Sequence, residues 1–291
     1  MSSNQLKNLD CCPICKKTNT KSVFKTEYLN KIIDIKRCKS CDFDFVNENI
    51  SPQEGSHDLT SETPEDVLNN YYLNYKADEK VAYSSLQRRM PIFEKLYGDK
   101  IKNVLEIGCG PATAFSWFKD QNVHWVGNEV DKTALDHAKK LNLPVSSLNI
   151  ENYKSEFDLI YFHQVLEHVM DPVDFLKKVN SALKPGGIVG IGVPNNNGFT
   201  AIFRRFFKKK YPLDYGFIQI PYHLRAYNSK SINKLCNICN FDVCAVNEVT
   251  HFDLKYGEWY AKKNSLIARL IFNMGAKLGF GTLLYAVAKK R

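Results

Sequence analysis

Residues 101–195 alternate strand-like and helix-like segments, and no other feature of this 291-residue chain constrains its fold as tightly. An apolar run at 101–107 enters Glu106-Ile-Gly108-Cys109-Gly110-Pro-Ala112, followed by a helical pattern with Phe115, Trp117 and Phe118. A second strand at 123–129 precedes a helix at 132–141, with Asp131 as its N-cap. A strand at 157–163 precedes a helix opened by Asp171-Pro172 and stopped by Pro185-Gly186-Gly187. Another strand follows at 188–193. This spacing predicts an α/β fold: a parallel sheet covered on both faces, with its ligand at the carboxyl ends of the strands.

The glycine loop narrows the ligand. A dinucleotide-binding loop needs G-x-G-x-x-G, and Thr113 stands where the third glycine would fall. Glu106, two residues before the first glycine, suits a cation such as the ammonium group of an amino acid better than a pyrophosphate. Glu129 ends the second strand, where a carboxylate can accept hydrogen bonds from both hydroxyls of a ribose. An amino acid joined to an adenosine is S-adenosylmethionine.

These residues carry a resemblance. Val104-Leu-Glu-Ile-Gly-Cys-Gly, Val126-Gly-Asn-Glu129, Phe157-Asp-Leu-Ile, Val165-Leu-Glu-His-Val-Met-Asp-Pro and Leu183-Lys-Pro-Gly-Gly occur in that order. Together they resemble the class I S-adenosylmethionine-dependent methyltransferases. The resemblance implies a Rossmann-like seven-stranded sheet whose last strand is antiparallel, with 241–249 and 282–289 supplying the final hairpin. It also implies a cofactor cradle of Glu106, Gly108, Cys109, Gly110, Glu129, Val130, Leu148, Asn149, His163 and Gln164. Around Leu166-Glu167-His168 the chain is similar to ubiquinone-pathway O-methyltransferases, which hold a divalent cation with Glu-x-x-Glu-His. Gln164 replaces the first of those carboxylates. No Mg2+ site is therefore expected, since hard cations favour charged oxygens.

The amino-terminal end follows another logic. Cys12-Pro-Ile-Cys15 and Cys38-Lys-Ser-Cys41 flank a strand-like stretch at 22–36. Two such knuckles place four thiolates around one ion in a closed shell, which is the pattern of a structural zinc. The chain has nine cysteines and starts with a polar segment lacking an apolar core, so a disulfide framework is not expected and the cytoplasm is. Cys11 is spare. Cys236-Asn-Ile-Cys239 sits in a helical pattern and is expected to pack. The expected organisation is a zinc ribbon at 1–50, a linker and helical lid at 51–100, and the S-adenosylmethionine-binding domain at 101–291. Cys38-x-x-Cys41-Asp-Phe-Asp-Phe-Val-Asn followed by Tyr71-Tyr-Leu-Asn-Tyr75 resembles methyltransferases with a zinc ribbon ahead of the catalytic domain. Many of these act on sugars in surface-polysaccharide or deoxysugar pathways. Those that methylate carbon usually carry a further domain, whereas about a hundred residues follow Pro194 here. That favours transfer to oxygen or nitrogen.

A hydroxyl acceptor must lose a proton, best to a group titrating near neutrality, and histidine is the first candidate. His163 ends the strand at 157–163. His223 lies in Pro221-Tyr-His-Leu-Arg-Ala-Tyr, where the family's acceptor loop falls. These two are the catalytic candidates. His168 is expected to fix a helix start, and His57, His124, His137 and His251 lack motif context. Asn195-Asn-Asn197 reads either as a turn or as amides for sugar hydroxyls. Arg204-Arg-Phe-Phe-Lys-Lys-Lys-Tyr211 reads either as a solvated helix or as a dock for phosphate, nucleic acid or a membrane surface. Residues 69–89, with Tyr71, Tyr72, Tyr75 and Tyr83, read as a helix with a packing face placed to act as a lid. An apolar helix at 265–280 is expected to pack on the sheet.

At 44% hydrophobic and 24% charged residues the chain has a globular balance, which excludes disorder and coiled coil. No apolar run approaches the roughly 20 residues that span a bilayer. The net charge of +9 favours acidic partners without choosing among them. The expected function is methyl transfer from S-adenosylmethionine to oxygen or nitrogen of a small-molecule acceptor, a nucleotide- or phosphate-linked sugar for surface glycan synthesis. Peripheral membrane contact is compatible with it. One alternative is an RNA methyltransferase gripping phosphates with the ribbon and the basic run. The ribbon's few cations, Lys16, Lys17, Lys36, Arg37 and Lys39, speak against nucleic acid. The other is a non-enzymatic zinc-ribbon interaction module, against which the intact Glu106, Gly108, Gly110 and Glu129 argue.

Overall fold

A computed structural model describes residues 11–48, 50, 64–206, 213–249 and 280–291. The linker expected at 51–63, His57, His251, the side chains of Tyr71 and Tyr72, residues 207–212 of the basic run and nearly all of the helix expected at 265–280 lie outside the described residues.

Three strands come first: β1 (Thr20–Tyr28), β2 (Lys31–Cys38) and β3 (Asp44–Val46). A 34-residue helix follows, α1 (Pro64–Tyr97). The alternation expected from the sequence comes next: β4 (Asn103–Ile107), α2 (Phe115–Asp120), β5 (His124–Asn128), α3 (Lys132–Lys140), β6 (Val145–Ser146), β7 (Phe157–His163), α4 (Pro172–Ala182) and β8 (Leu183–Pro194). The remainder comprises α5 (Phe199–Phe206), β9 (Asp214–Tyr215), β10 (Ile218–Gln219), β11 (Arg225–Ala226), α6 (Ser229–Ile238), β12 (Phe241–Val249) and β13 (Leu283–Lys290).

Seven strands form the main sheet in the order β12-β13-β8-β7-β4-β5-β6. The β6-to-β8 part is parallel, and β13 runs antiparallel to both β8 and β12. This is the expected α/β sheet with its terminal hairpin. The β7 sequence FDLIYFH is buried almost throughout, as a parallel strand covered on both faces must be. Its Asp158 is satisfied by Lys184 Nζ at 2.7 Å, the amides of Lys102 and Asn103 at 2.8 and 2.9 Å, and Tyr97 Oη at 2.9 Å. Burial alone would raise this carboxyl, but these donors hold it below its ordinary range. One carboxylate thus ties the end of α1 to three strands.

Helix caps follow the sequence with one correction. Asp131 accepts from the Ala134 amide at 2.8 Å, as expected. Asp171 accepts from Val173 and Asp174, with Pro172 in the first turn, so Asp171 and not His168 starts α4. The carboxyl-terminal half of α1 buries Leu86, Met90 and Phe93 against Val104, Leu159 and Ile188 of the sheet. Tyr75 meets the His137 ring and Tyr83 the Trp117 ring, which bears out the packing reading of those tyrosines.

The cysteine-rich end is built into the rest of the chain. Its sheet runs β1-β2-β3-β11, so β3 pairs antiparallel with the strand that follows His223. Cys12, Cys38 and Cys41 share one apolar core with Tyr227, Ile232 and Leu235, and the Phe43 and Tyr227 rings lie 4.9 Å apart. Cys236 and Cys239 are buried in the same core, as packing residues. Among the described residues no helix is long and apolar enough to cross a membrane.

Candidate active site

The turn after β4 requires its glycines. Gly108 and Gly110 both have positive φ, and a Cβ on Gly108 would run into the Val165 side chain. Glu129, just past β5, clamps this turn. Its Oε2 accepts from the Gly110 amide at 2.8 Å, and its Oε1 accepts from the amides of Val130 and Asp131 at 2.7 and 3.0 Å. A carboxylate has about four acceptor positions, so one remains for an incoming hydroxyl. Beside it Val130 and Leu148 expose apolar side chains at the sheet edge, and Asn128 Nδ2 holds the Leu148 carbonyl at 2.6 Å. Asn149 caps the short turn Ile150–Asn152 and donates to Glu151 at 2.8 Å. Cys109 is buried under the turn, and its amide donates to the Asn128 carbonyl. Gln164 is exposed at the end of β7, with φ of 54°.

A polar row runs across the sheet face beneath α1. Glu106 pairs with Tyr161, His163 pairs with Gly192, and Gly192 pairs with Tyr285. Side chains two apart share a face, so Glu106, Tyr161, His163 and Tyr285 point the same way. Trp125 Nε1 donates to Glu106 at 3.1 Å, and burial pushes the Glu106 carboxyl up to about 7. Gly192 makes room for the row, because a Cβ there would enter the His163 ring. His163 stacks on Tyr285 at 5.3 Å between centroids, and Arg89 Nη1 lies 3.0 Å from its Nε2. Burial, with the Arg89 charge beside it, pushes the His163 imidazole down to about 3.

His223 comes from the segment between β10 and β11. Its ring meets that of His168 edge-on at 4.6 Å, and His168 Nδ1 lies 3.1 Å from the Tyr222 carbonyl. Glu167 sits under the pair, 1% exposed, with both oxygens buried and without a hydrogen-bond partner among the described residues. Burial pushes its carboxyl up to about 8. One donor atom from each of Glu167, His168 and His223 lies within 4.8 Å of the others. Gln164, which replaces the first carboxylate of the compared pattern, is not part of this group, and His223 is. Two imidazoles and one carboxylate suit a borderline transition ion better than Mg2+.

The four ribbon cysteines converge. Cys12 Sγ lies 3.5 Å from Cys41 Sγ, Cys15 Sγ lies 3.5 Å from Cys38 Sγ, and Cys41 and Cys15 are 3.8 Å apart. These separations exceed the roughly 2.05 Å of a disulfide. They match the edge of about 3.8 Å for a tetrahedron of thiolates at about 2.3 Å from zinc. The knuckles turn through Lys16 and Asp42, both at positive φ. The cluster can hold a zinc ion.

Two alternatives left open by the sequence are narrowed by the fold. Asn195 and Asn196 are fully buried. Asn195 donates to the Gly281 carbonyl and accepts from Asn197, while Asn196 donates to Asp44 at 2.7 Å and accepts from Phe217. Their amides are spent within the protein and do not face a sugar. Arg204 and Arg205 also turn inward, to Asp214 and to Asp44 with the Asn196 carbonyl. These two arginines of the basic run are therefore structural. Arg89 and Tyr285 were not among the sequence candidates. Arg89 did leave a signal, since it lies on the helix face that Leu86, Met90 and Phe93 bury, where a charge is out of place.

A family model described as a methyltransferase domain matches residues 72–246, more than half of the chain. The chain belongs to the methyltransferase-domain family. A probable S-adenosylmethionine-dependent methyltransferase of Mycolicibacterium smegmatis is 24% identical over 147 residues, covering 49% of this chain and 52% of that protein. A ubiquinone biosynthesis O-methyltransferase of Aeromonas salmonicida is 27% identical over 106 residues, 33% of this chain and 44% of that one. The chain thus spans about half the length of the curated relatives it matches. Among solved structures, a chain of the Haloferax volcanii complex between the Trm112 methyltransferase activator and a methyltransferase superposes with a TM-score of 0.53 at 14% identity, covering 78% of this chain and 97% of that chain. At that identity the likeness speaks for the fold of this methyltransferase domain alone.

Proposed function

We propose that the chain transfers the methyl group of S-adenosylmethionine to an oxygen or nitrogen of a small-molecule acceptor. The observation that carries this reading is the Glu129 clamp on the Gly110 amide, which puts an acidic acceptor beside a glycine turn at the carboxyl edge of a methyltransferase sheet. Glu129 suits the ribose hydroxyls, Val130 and Leu148 the faces of the adenine, and Glu106 the ammonium group. The bound cofactor supplies an activated methyl group on a sulfonium, so alignment of the acceptor contributes most of the acceleration. For a hydroxyl acceptor, His223 takes the proton as the oxygen–carbon bond forms and the sulfur–carbon bond breaks. His168 and Glu167 pack against that imidazole and hold it. His163 is a poorer base, because Arg89 donates to its Nε2 and its other nitrogen then carries the proton. In the ribbon, Cys12, Cys15, Cys38 and Cys41 hold a structural zinc.

The narrower expectation of a phosphate-linked sugar came mainly from resemblance, with the Asn195–Asn197 amides and the basic run at 204–211 as further candidates. With Asn195, Asn196 and both arginines engaged inside the protein, it rests on resemblance alone. A methyl-transfer screen with isotopically labelled cofactor against sugars, nucleotide sugars, phenols and amines, read by mass spectrometry, tests the reading. Label transferred to one class names the acceptor, and a folded, cofactor-binding protein that labels none of them contradicts the reading.

Glu106 makes the cofactor step pH-dependent. Its carboxyl, pushed up to about 7 by burial, must ionise to meet an ammonium group. Binding therefore releases a proton. Affinity is expected to rise with pH, by up to about tenfold per unit below about pH 7, and to level off above it. Calorimetry in buffers of different ionisation enthalpy measures the released proton. A pH-independent affinity would show that Glu106 does not face the ammonium group.

A further inference from the structure

We propose that Glu167, His168 and His223 form a second metal site, for a divalent transition ion, and that an ion seated there stops methyl transfer by taking the lone pair of His223. The inference rests on the reading of His223 as the base and adds a regulation to it. One donor atom from each of the three residues lies within 4.8 Å of the others. Donors on a shell of about 2.0–2.1 Å radius sit about 3.3 Å apart, so closing round an ion takes a shift of at most about 1.5 Å. Two imidazoles and a carboxylate are donors that borderline ions such as Zn2+ and Co2+ prefer, whereas Mg2+ favours oxygen. The set is not Glu-x-x-Glu-His. Gln164 takes no part, and the second imidazole arrives from the segment between β10 and β11.

Glu167 points to a cation. It is 1% exposed, and neither of its oxygens has a hydrogen-bond partner among the described residues. The other buried acids among those residues are all answered. Asp44 meets Arg37, Arg205 and Asn196, and Asp158 meets Lys184, two amides and Tyr97. Asp214 meets Arg204 and Gln219, and Glu129 meets three amides. A buried carboxylate without a donor is costly, and a metal ion is a partner that relieves the cost. His168 is set for coordination. A carbonyl oxygen only accepts, so the His168 Nδ1 that lies 3.1 Å from the Tyr222 oxygen carries the proton, and the neutral ring keeps its lone pair on Nε2. Bonds across the two segments hold the donors together. The Leu224 amide donates to the Glu167 carbonyl at 3.2 Å, and Tyr227 Oη donates to the Leu166 carbonyl at 3.2 Å. His168 is exposed and His223 half-buried, so the carboxylate forms a floor and the imidazoles a rim through which an ion can enter. A neutral imidazole has one lone pair. With an ion on it, the His223 ring has no nitrogen left to take the acceptor's proton.

Cobalt tests the site on the whole chain as purified. Co2+ titrated into the wild type should bring up ligand-field absorption at about one equivalent, without the thiolate charge-transfer band that exchange into the ribbon would add. Glu167→Gln should lose that absorption. His168→Gln, altered at the exposed rim, should lose it as well and serves where the buried substitution does not fold. The second readout is methyl transfer to the acceptor that the labelled screen identifies. The wild-type rate should fall in step with cobalt occupancy, to about 10²–10⁴-fold below the metal-free rate, as for loss of the base. S-adenosylmethionine affinity should not change, and Mg2+ should not inhibit. Each variant, compared with its own metal-free rate, should be insensitive to cobalt. No absorption beyond the ribbon's, or absorption that survives in both variants, overturns the site. Cobalt that binds there and leaves the rate unchanged, or raises it, overturns the regulation. A wild type that takes up cobalt but binds no S-adenosylmethionine brings down the methyl-transfer reading and the regulation with it, while the absorption still upholds the site.

Discussion

Replacing His223 with alanine is expected to lower kcat by about 10²–10⁴ with a hydroxyl acceptor, the usual worth of general-base catalysis. The turn that carries it should survive, because His223 is held there by main-chain bonds, its amide donating to Gln219 and its carbonyl accepting from Gln219 at 2.8 and 3.0 Å. S-adenosylmethionine affinity should stay the same, since Glu106, Gly110 and Glu129 lie on β4, in the turn after it and just past β5. The wild-type rate should rise with pH and level off once the imidazole is neutral. His163→Ala should behave differently, because it removes the group that holds Arg89 and so impairs rate and ligand affinity together. Steady-state kinetics with separate cofactor titrations distinguish the cases. A His223→Ala enzyme that keeps its kcat while the acceptor KM rises would reduce His223 to a positioning group.

The second large effect concerns the ribbon. Purified protein should carry about one zinc per chain, and Cys38→Ser should lose it and lower the melting midpoint by roughly 5–15 °C. The loss should not stay in the ribbon. Asn228, which caps α6, donates to the Asp42 carbonyl of the second knuckle at 2.6 Å, and the Val46 amide donates to the Leu224 carbonyl. Leu224 follows His223, and its amide donates to the Glu167 carbonyl at 3.2 Å. Removing the metal should therefore raise the acceptor KM and deprotect the amides of residues 223–228 in hydrogen exchange, with cofactor affinity little changed. Elemental analysis and exchange on one preparation check both halves. Metal-free protein obtained without any chelator would overturn the zinc assignment.

The sheet was legible because each strand announces itself locally. An apolar run such as FDLIYFH, bounded by Ser155-Glu156 and Gln164, has few ways to fold other than as a buried strand. Caps at Asp131 and Asp171 and the glycine turn were legible for the same reason, as they depend on neighbours within a few residues. What escaped reading depends on distant partners. Arg89 meets His163 across 74 residues, and Asn196 meets Asp44 across 152. No local pattern tells an amide that will bind a ligand from one that will satisfy a buried carboxylate. The two-residue strand Arg225–Ala226 carries no periodicity of its own, so the joining of the ribbon sheet to the segment that carries His223 was invisible until β3 supplied its partner.

Glu129 is the residue on which cofactor binding is expected to depend most. Calorimetric titration of S-adenosylmethionine into the wild type and Glu129→Ala, both shown to be folded, tests it most directly. The wild type should bind one equivalent. The variant should bind more weakly by roughly 1.5–3 kcal/mol, since a charged acceptor for the ribose is gone and the Gly110 amide loses its partner. Equal affinity in the two proteins, or no binding to the wild type, would contradict the central claim.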